Sequence, residues 1–347
     1  MHALIAYMGN ELPTINEHLD SCVRRLDPFV QPIARHVLNA GGKRLRPLLT
    51  LISFRAFGGQ GDPYPMASSL ELLHSATLLH DDILDRADLR RGRPSAHLVY
   101  GRHAAILGGD ALLALGNKIV AEYGDARLTN AISEAIMATA TGEIREIAQV
   151  GNMSLTNAEY LEIVTGKTAY LIEAATRCGA LLAGADNAGV EQAAQFGLNL
   201  GIAFQLVDDV LDYASSEEEA GKTVAADLRE GKATLPLILY LESAAPEERN
   251  ELQELVRRIG ITDMGNTGAG TQSDDVQNNK GRAMSQQDLD LVIAAVQRVR
   301  ETGAVERGRE IAAGYAEAAR ASLQGLPPSP ETELLGEALE YVVRRNK

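Results

Sequence analysis

The chain has 347 residues, 45% hydrophobic and only 4% aromatic, with a formal net charge of −14. That length can bury a sizeable core, and the acidic balance argues against nucleic acid, whose recognition needs a basic face. Cys22 and Cys178 have neither metal-ligand nor disulfide-framework spacing, the first residues lack the basic-then-apolar order of a signal peptide, and no apolar run reaches the ~18 residues of a membrane span. A soluble, cytoplasmic protein is expected.

Alanine and leucine dominate the apolar set, and residues 68–84, 104–122, 128–150, 156–184 and 188–213 carry helical spacing. The spacing predicts a nearly all-α chain. Before the first window lies "NAGGKRLRPLL" (39–49), where Gly41 and Gly42 predict a turn and Pro47 a helix's first turn. Lys43, Arg44 and Arg46 beside that turn suit a diphosphate, although a solvated basic turn has the same composition.

The first window, "SLELLHSATLLH", is apolar on more than one face and reads as a buried helix. It runs into "DDILDRADLRRGRPSAH". Asp81 and Asp85 lie about 40° apart on a helix, and Asp82 about 100° round from Asp81. Such carboxylates repel one another and resist burial unless cations hold them. Arg86, Arg90, Arg91 and Arg93 follow. His74, two turns before Asp81, shares its face, and His80 directly precedes it; a histidine on an apolar face is more often a core residue than a ligand.

Gly166-Lys167-Thr168 and Gly221-Lys222-Thr223 end like phosphate-binding loops. Leu161 and Ser216 stand where that motif needs its first glycine, so both fail. Lys167 falls in a helical window ahead of an apolar run, so it is a candidate to face an interior cleft. The next window ends in "FQLVDDVLDY", repeating D-D-x-x-D as Asp208, Asp209 and Asp212. Residues 262–284 are polar, Gly- and Asn-rich and without period, and read as a flexible insertion between helices. Helix resumes with Ser285 as N-cap. "GLPPSP" (325–330) precedes a last helix, 331–345, whose end "ALEYVVRRNK" reads as a solvated helix terminus or as part of a site.

Two acidic clusters at the ends of apolar helices can bind several Mg²⁺, which prefers oxygen ligands and bridges to phosphates. The basic turn and the arginine pair can hold a second anion, and the apolar helix surface can line a dry pocket for a hydrocarbon.

In this order, "GGKRLRP", "LLHDDILDRADLRRG", "GKTAYLIEAA", "FQLVDDVLDY" and "DLREGKATLPL" resemble the trans-isoprenyl diphosphate synthases, or polyprenyl synthetases, from about residue 30 to 240 and more loosely to the C-terminus. The resemblance implies a prenyltransferase of isoprenoid biosynthesis. Its fold would be all-α, a single-domain isoprenoid-synthase helical bundle around a deep central cavity spanning residues 1–347, usually as a homodimer. It implies Mg²⁺, three ions per active site, on Asp81, Asp82 and Asp85 and, from the facing helix, Asp208, Asp209 and Asp212. Lys43, Arg46, His74 and Arg91 would bind isopentenyl diphosphate. Arg90, Lys167 and Lys232 would contact the allylic diphosphate, with Lys222 a further substrate-binding cation. Lys167, Thr168 and Gln205 occupy the positions at which the family stabilises the allylic cation. The insertion at 262–284 departs from the family.

In this family, bulky residues just before the first aspartates stop short products. Thr77 and Ala76 stand there, with Leu73 one turn back, so a long product is expected, about C30 to C50 and most like the octaprenyl chains of quinone tails. Such a product favours a position near a membrane. A short-chain C15 or C20 synthase is the alternative. A terpene cyclase conflicts with the intact second aspartate motif and "GGKRLRP". A non-catalytic subunit of a heteromeric synthase conflicts with retention of all six aspartates. A di-iron bundle lacks its Glu-x-x-His pair.

Overall fold

The computed structural model describes residues 2–214, 225–258 and 286–344. Lys222, the 262–284 segment and the expected N-cap Ser285 lie outside them. Helices α1 (His2–Val23), α2 (Gln31–Leu38), α3 (Leu45–Ala56) and α4 (Tyr64–Leu84) come first. A short antiparallel hairpin, β1 (Leu89–Arg90) and β2 (Arg93–Pro94), precedes α5 (Ala96–Tyr100), α6 (Arg102–Ala121), α7 (Ala126–Gln149) and α8 (Asn157–Val164). A π-helical turn, Thr165–Ala169, joins α8 to α9 (Tyr170–Leu182), followed by α10 (Asn187–Ala214). The remaining helices are α11 (Ala226–Arg229), α12 (Leu235–Ser243), α13 (Pro246–Arg258), α14 (Gln286–Glu301), α15 (Ala304–Leu323) and α16 (Pro330–Val343). The fold is all-α, as expected, apart from the one small hairpin among the described residues.

The helical windows reappear with two differences. The run over 156–184 is not one helix: Thr156 and Glu159 form a reciprocal capping box that starts α8, and the π turn interrupts the helix at Lys167. The second concerns membrane spans. Contrary to expectation, α6 is long and apolar enough to cross a membrane by length and composition. Its Ala105, Leu112, Leu115, Ile119 and Val120 are instead buried in the protein core.

The described residues gather into two compact units. One takes residues from 2–139, 169–201 and 317–341. Its apolar cluster includes Ile15, Leu19, Val37, Leu48, Leu72, Ala76, Leu79, Leu112 and Ile119, from α1, α2, α3, α4 and α6. Helix α4 packs along α6, and α3 along α9. Gly116 lets α6 approach α4: a Cβ there would stand 2.9 Å from the Leu73 side chain. The other unit takes residues from 140–168, 202–316 and 342–344. Here α8 packs on α12, and α14 on α12 and α13, burying Leu237, Ile238, Val256, Val292 and Val299. Cys22 and Cys178 are buried free thiols in the first unit.

Candidate active site

In the first unit, four arginines are gathered round His74. Gly41 and Gly42 take positive φ, as does Arg44 (φ 49°), which forms the N-cap of α3 and puts Pro47 in its first turn. Arg44 is buried, donating to Glu71 Oε1 at 2.6 Å and to the Leu38 carbonyl. That buried pair fixes the turn. Lys43 stays exposed at its tip, while the Arg46 Nε is buried without a hydrogen-bond partner among the described residues. Burial pushes the Arg46 guanidinium down to about 10, Arg91 adding to the fall and Glu71 opposing it. The hairpin supplies Arg90 and Arg91. Its two turn residues, Arg91 (φ 51°) and Gly92 (φ 76°), are both left-handed, as a type I′ turn requires. Gly42 makes room for Arg91, since a Cβ there would stand 2.5 Å from its Nη1. Burial, then the charges of Arg46, Arg91, Arg90 and Arg44, hold the His74 imidazole well below its usual value and keep it neutral.

The first aspartates occupy the last turn of α4 and its C-cap, Asp85. Asp82 is buried and accepts from Arg90 Nε at 2.6 Å. His80 turns towards α6, 3.1 Å from the Ile106 carbonyl and 3.6 Å from Asp110. Thr77 is half-buried one turn before Asp81, its hydroxyl donating to the His74 carbonyl, whereas Ala76 is fully buried in the apolar cluster.

In the second unit, a cavity of about 150 Å³ is lined by Glu146, Tyr160, Lys167, Thr168, Gln205, Asp209, Asp227 and Lys232, among others. The π turn carries Lys167 and Thr168 into it. Gly142 permits this, because a Cβ there would lie 2.3 Å from the Lys167 backbone nitrogen. Lys167 Nζ lies 2.5 Å from Glu146 and 2.8 Å from Glu143, and Lys232 Nζ lies 2.9 Å from Glu230 and 3.6 Å from Glu146. Burial pulls the Lys167 ammonium down, but Glu146 and Glu143 outweigh it, so its value rises. Thr168 donates to Gln205 Oε1 at 3.0 Å, and Gln205 Nε2 donates to Asp209 Oδ1 at 2.8 Å. Tyr160 donates to the other Asp209 oxygen. Burial raises Asp209 to about 7, with Glu146 and Asp212 adding to the rise against the hydrogen bonds from Tyr160 and Gln205. Asp212 accepts from the backbone nitrogens of Ala226 and Asp227, each at 3.2 Å.

Both aspartate sets sit at helix C-termini, where the helix dipole already places negative charge. Asp82 and Asp209 are buried in that field and Asp212 repels Asp209, so the carboxylates fit a cation. Among the described residues no three His, Cys, Asp or Glu side chains converge as a ready-made metal cage. Sequence reasoning missed Glu71, Glu143, Glu146, Tyr160 and Asp227. Glu143 and Glu146 share a helix face at i, i+3, and that spacing was the available signal.

Residues 27–264 match the polyprenyl synthetase family. The chain is 32% identical over 334 residues to octaprenyl diphosphate synthase of Escherichia coli (strain K12), covering 96% of this chain and 94% of that one. It is 32% identical to heptaprenyl diphosphate synthase component 2 of Geobacillus stearothermophilus, covering 100% and 99%. It is 36% identical over 251 residues to geranylgeranyl diphosphate synthase of Sulfolobus acidocaldarius, covering 70% and 76%. Polyprenyl synthase from Caulobacter crescentus, solved with calcium and isoprenyl diphosphate, matches with a TM-score of 0.85 at 33% identity, covering 99% of this chain and 97% of that one. A decaprenyl diphosphate synthase from Rhodobacter capsulatus matches with a TM-score of 0.86 at 31% identity, covering 100% and 99%. Sequence and fold agree along nearly the whole length, and the chain therefore belongs to the polyprenyl synthetase family of prenyl-transferring enzymes.

Proposed function

We propose that the protein is a long-chain all-trans polyprenyl diphosphate synthase, extending an allylic diphosphate with isopentenyl diphosphate to about C30–C50, with octaprenyl as the central expectation. The observation that carries the length is Thr77, a small, half-buried side chain one turn before Asp81. The octaprenyl and decaprenyl relatives support it; the geranylgeranyl relative is no more distant and keeps a C20 product as the second reading.

In this reading Lys43, Arg46, Arg91 and neutral His74 hold isopentenyl diphosphate. Arg90, Lys167 and Lys232 hold the allylic diphosphate, and their charge counters the negative charge that builds as it departs. Its C–O bond breaks, leaving an allylic cation stabilised by the oxygen dipoles of Thr168 and Gln205 and shielded from water by apolar walls. The isopentenyl double bond attacks that cation, and a proton passes to the released diphosphate as the new double bond forms. Mg²⁺, held by Asp81, Asp82 and Asp85 and by Asp208, Asp209 and Asp212, would supply further positive charge to the leaving group. We also propose one catalytic domain, a cytoplasmic homodimer and a product used as a quinone side chain. The heptaprenyl component 2 relative supports a heteromeric assembly instead, and sedimentation of the purified chain separates the two.

The Thr77→Phe variant tests the length argument. Its longest product should be shorter than that of the parent, read by chromatography of the dephosphorylated alcohols, and an unchanged distribution contradicts Thr77 as a wall. Ala76→Phe is the poorer test, because overpacking a fully buried site costs about 1–3 kcal/mol by itself.

A further inference from the structure

The end of α16 was left without a role by the sequence. Its Tyr341 ring lies under the Lys43 ammonium, with Nζ 4.9 Å from the ring centroid, within cation–π range. Everything around this contact is anchored. The Ser329 hydroxyl accepts from the Thr332 nitrogen at the start of α16, and Leu335 and Leu339 are fully buried. Glu337 accepts from the Leu4 nitrogen at 2.8 Å, and Arg320 donates to Glu340. On the other side, the buried Arg44–Glu71 pair holds the turn next to Lys43. Lys43 itself is exposed, and among the described residues it has no carboxylate within ion-pair distance. A long lysine stem on a glycine turn would otherwise sample many rotamers, and freezing them on binding opposes affinity.

We propose that Tyr341 is a positioning residue of the isopentenyl diphosphate site, its ring holding the Lys43 ammonium in place for the diphosphate. This rests on the reading of Lys43 as an isopentenyl diphosphate ligand. A ring suits the task better than a carboxylate would, because it steadies the ammonium without cancelling the charge that the diphosphate needs.

The test is steady-state kinetics on the full chain with Mg²⁺, farnesyl diphosphate and isopentenyl diphosphate. An exposed cation–π contact corresponds to about a two- to fivefold change. Tyr341→Leu should raise the KM for isopentenyl diphosphate by that factor and leave the KM for farnesyl diphosphate unchanged, while Tyr341→Phe keeps the parent values. In a Lys43→Gln background, Tyr341→Leu should add nothing. If Tyr341→Leu destabilises α16, mono- to trifluorinated phenylalanines at 341 weaken the ring's negative face at nearly constant shape, and KM should climb with each fluorine. An undiminished Tyr341→Leu effect in the Lys43→Gln background, equal rises in both KM values, or no response to fluorination overturns the proposal. If Lys43→Gln raises the isopentenyl diphosphate KM but Tyr341→Leu does not, the proposal fails while the site reading stands. If Lys43→Gln itself leaves that KM unchanged, the reading of Lys43 fails and the proposal with it.

Discussion

His74 lies among the guanidinium groups of Arg44, Arg46, Arg90 and Arg91, and burial with those charges keeps it neutral. The consequence for stability has a definite sign. As pH falls through the ordinary histidine value of 6.5, the unfolded chain takes up a proton there and the folded chain does not. The unfolded state then binds more protons, so stability contributed at this position is lost towards acid. His74→Gln removes the titration and keeps a neutral hydrogen-bonding side chain. In urea unfolding at pH 7.5 and 5.5, the stability of the parent relative to the variant should fall at the lower pH. A difference that does not change with pH contradicts a neutral His74. The aspartates were legible because D-D-x-x-D occurs twice in matching contexts. Glu143 and Glu146 were not, because two acids on a helix face look the same whether they meet water or a lysine.

Helix α4 ends in a way that bears on the first aspartates. The Ala87 nitrogen donates to the Asp82 carbonyl at 3.0 Å and the Arg86 nitrogen to the Ile83 carbonyl at 3.4 Å, a Schellman closure with Arg86 left-handed at φ 53°. Glycine is the usual residue there. Arg86→Gly should stabilise the protein by about 0.5–1 kcal/mol, the relief of left-handed strain exceeding glycine's entropy cost. Chemical denaturation checks this, and a destabilised variant would show that the Arg86 side chain matters more than its backbone. Helix α4 was legible from its apolar run, and α8 only as the start of the window at 156–184, its Thr156–Glu159 capping box going unread. The arginine hairpin was not: a two-residue turn built on Arg91-Gly92 lacks the usual Asn-Gly or Asp-Gly signal. Nor was the π turn at Lys167, since one extra residue per turn leaves no mark on an apolar pattern that continues on both sides.

At the scale of the whole molecule, the net charge of −14 opposes the anionic substrates proposed for the chain. The arginines around His74 make one cationic region within that acidic background, and the acidic helix ends suit cations brought by the solvent. The all-α class followed from helical periodicity, and the family from motif order. The grouping of residues into two compact units did not, because α7, α10, α15 and α16 each contribute to both and no linker composition marks a boundary. Relatives of similar identity carry product names from geranylgeranyl to octaprenyl, so overall similarity does not fix chain length, and the proposed long product rests on the small side chain of Thr77. The most direct measurement is the product ladder itself. Purified protein is incubated with Mg²⁺, labelled isopentenyl diphosphate and farnesyl diphosphate, and the products are hydrolysed and separated by reversed-phase chromatography. The account predicts a ladder ending at about C40 that disappears when the metal is chelated. A stop at C20 would contradict the long-chain assignment, and no elongation with both substrates and metal present would contradict the proposed synthase activity of this chain.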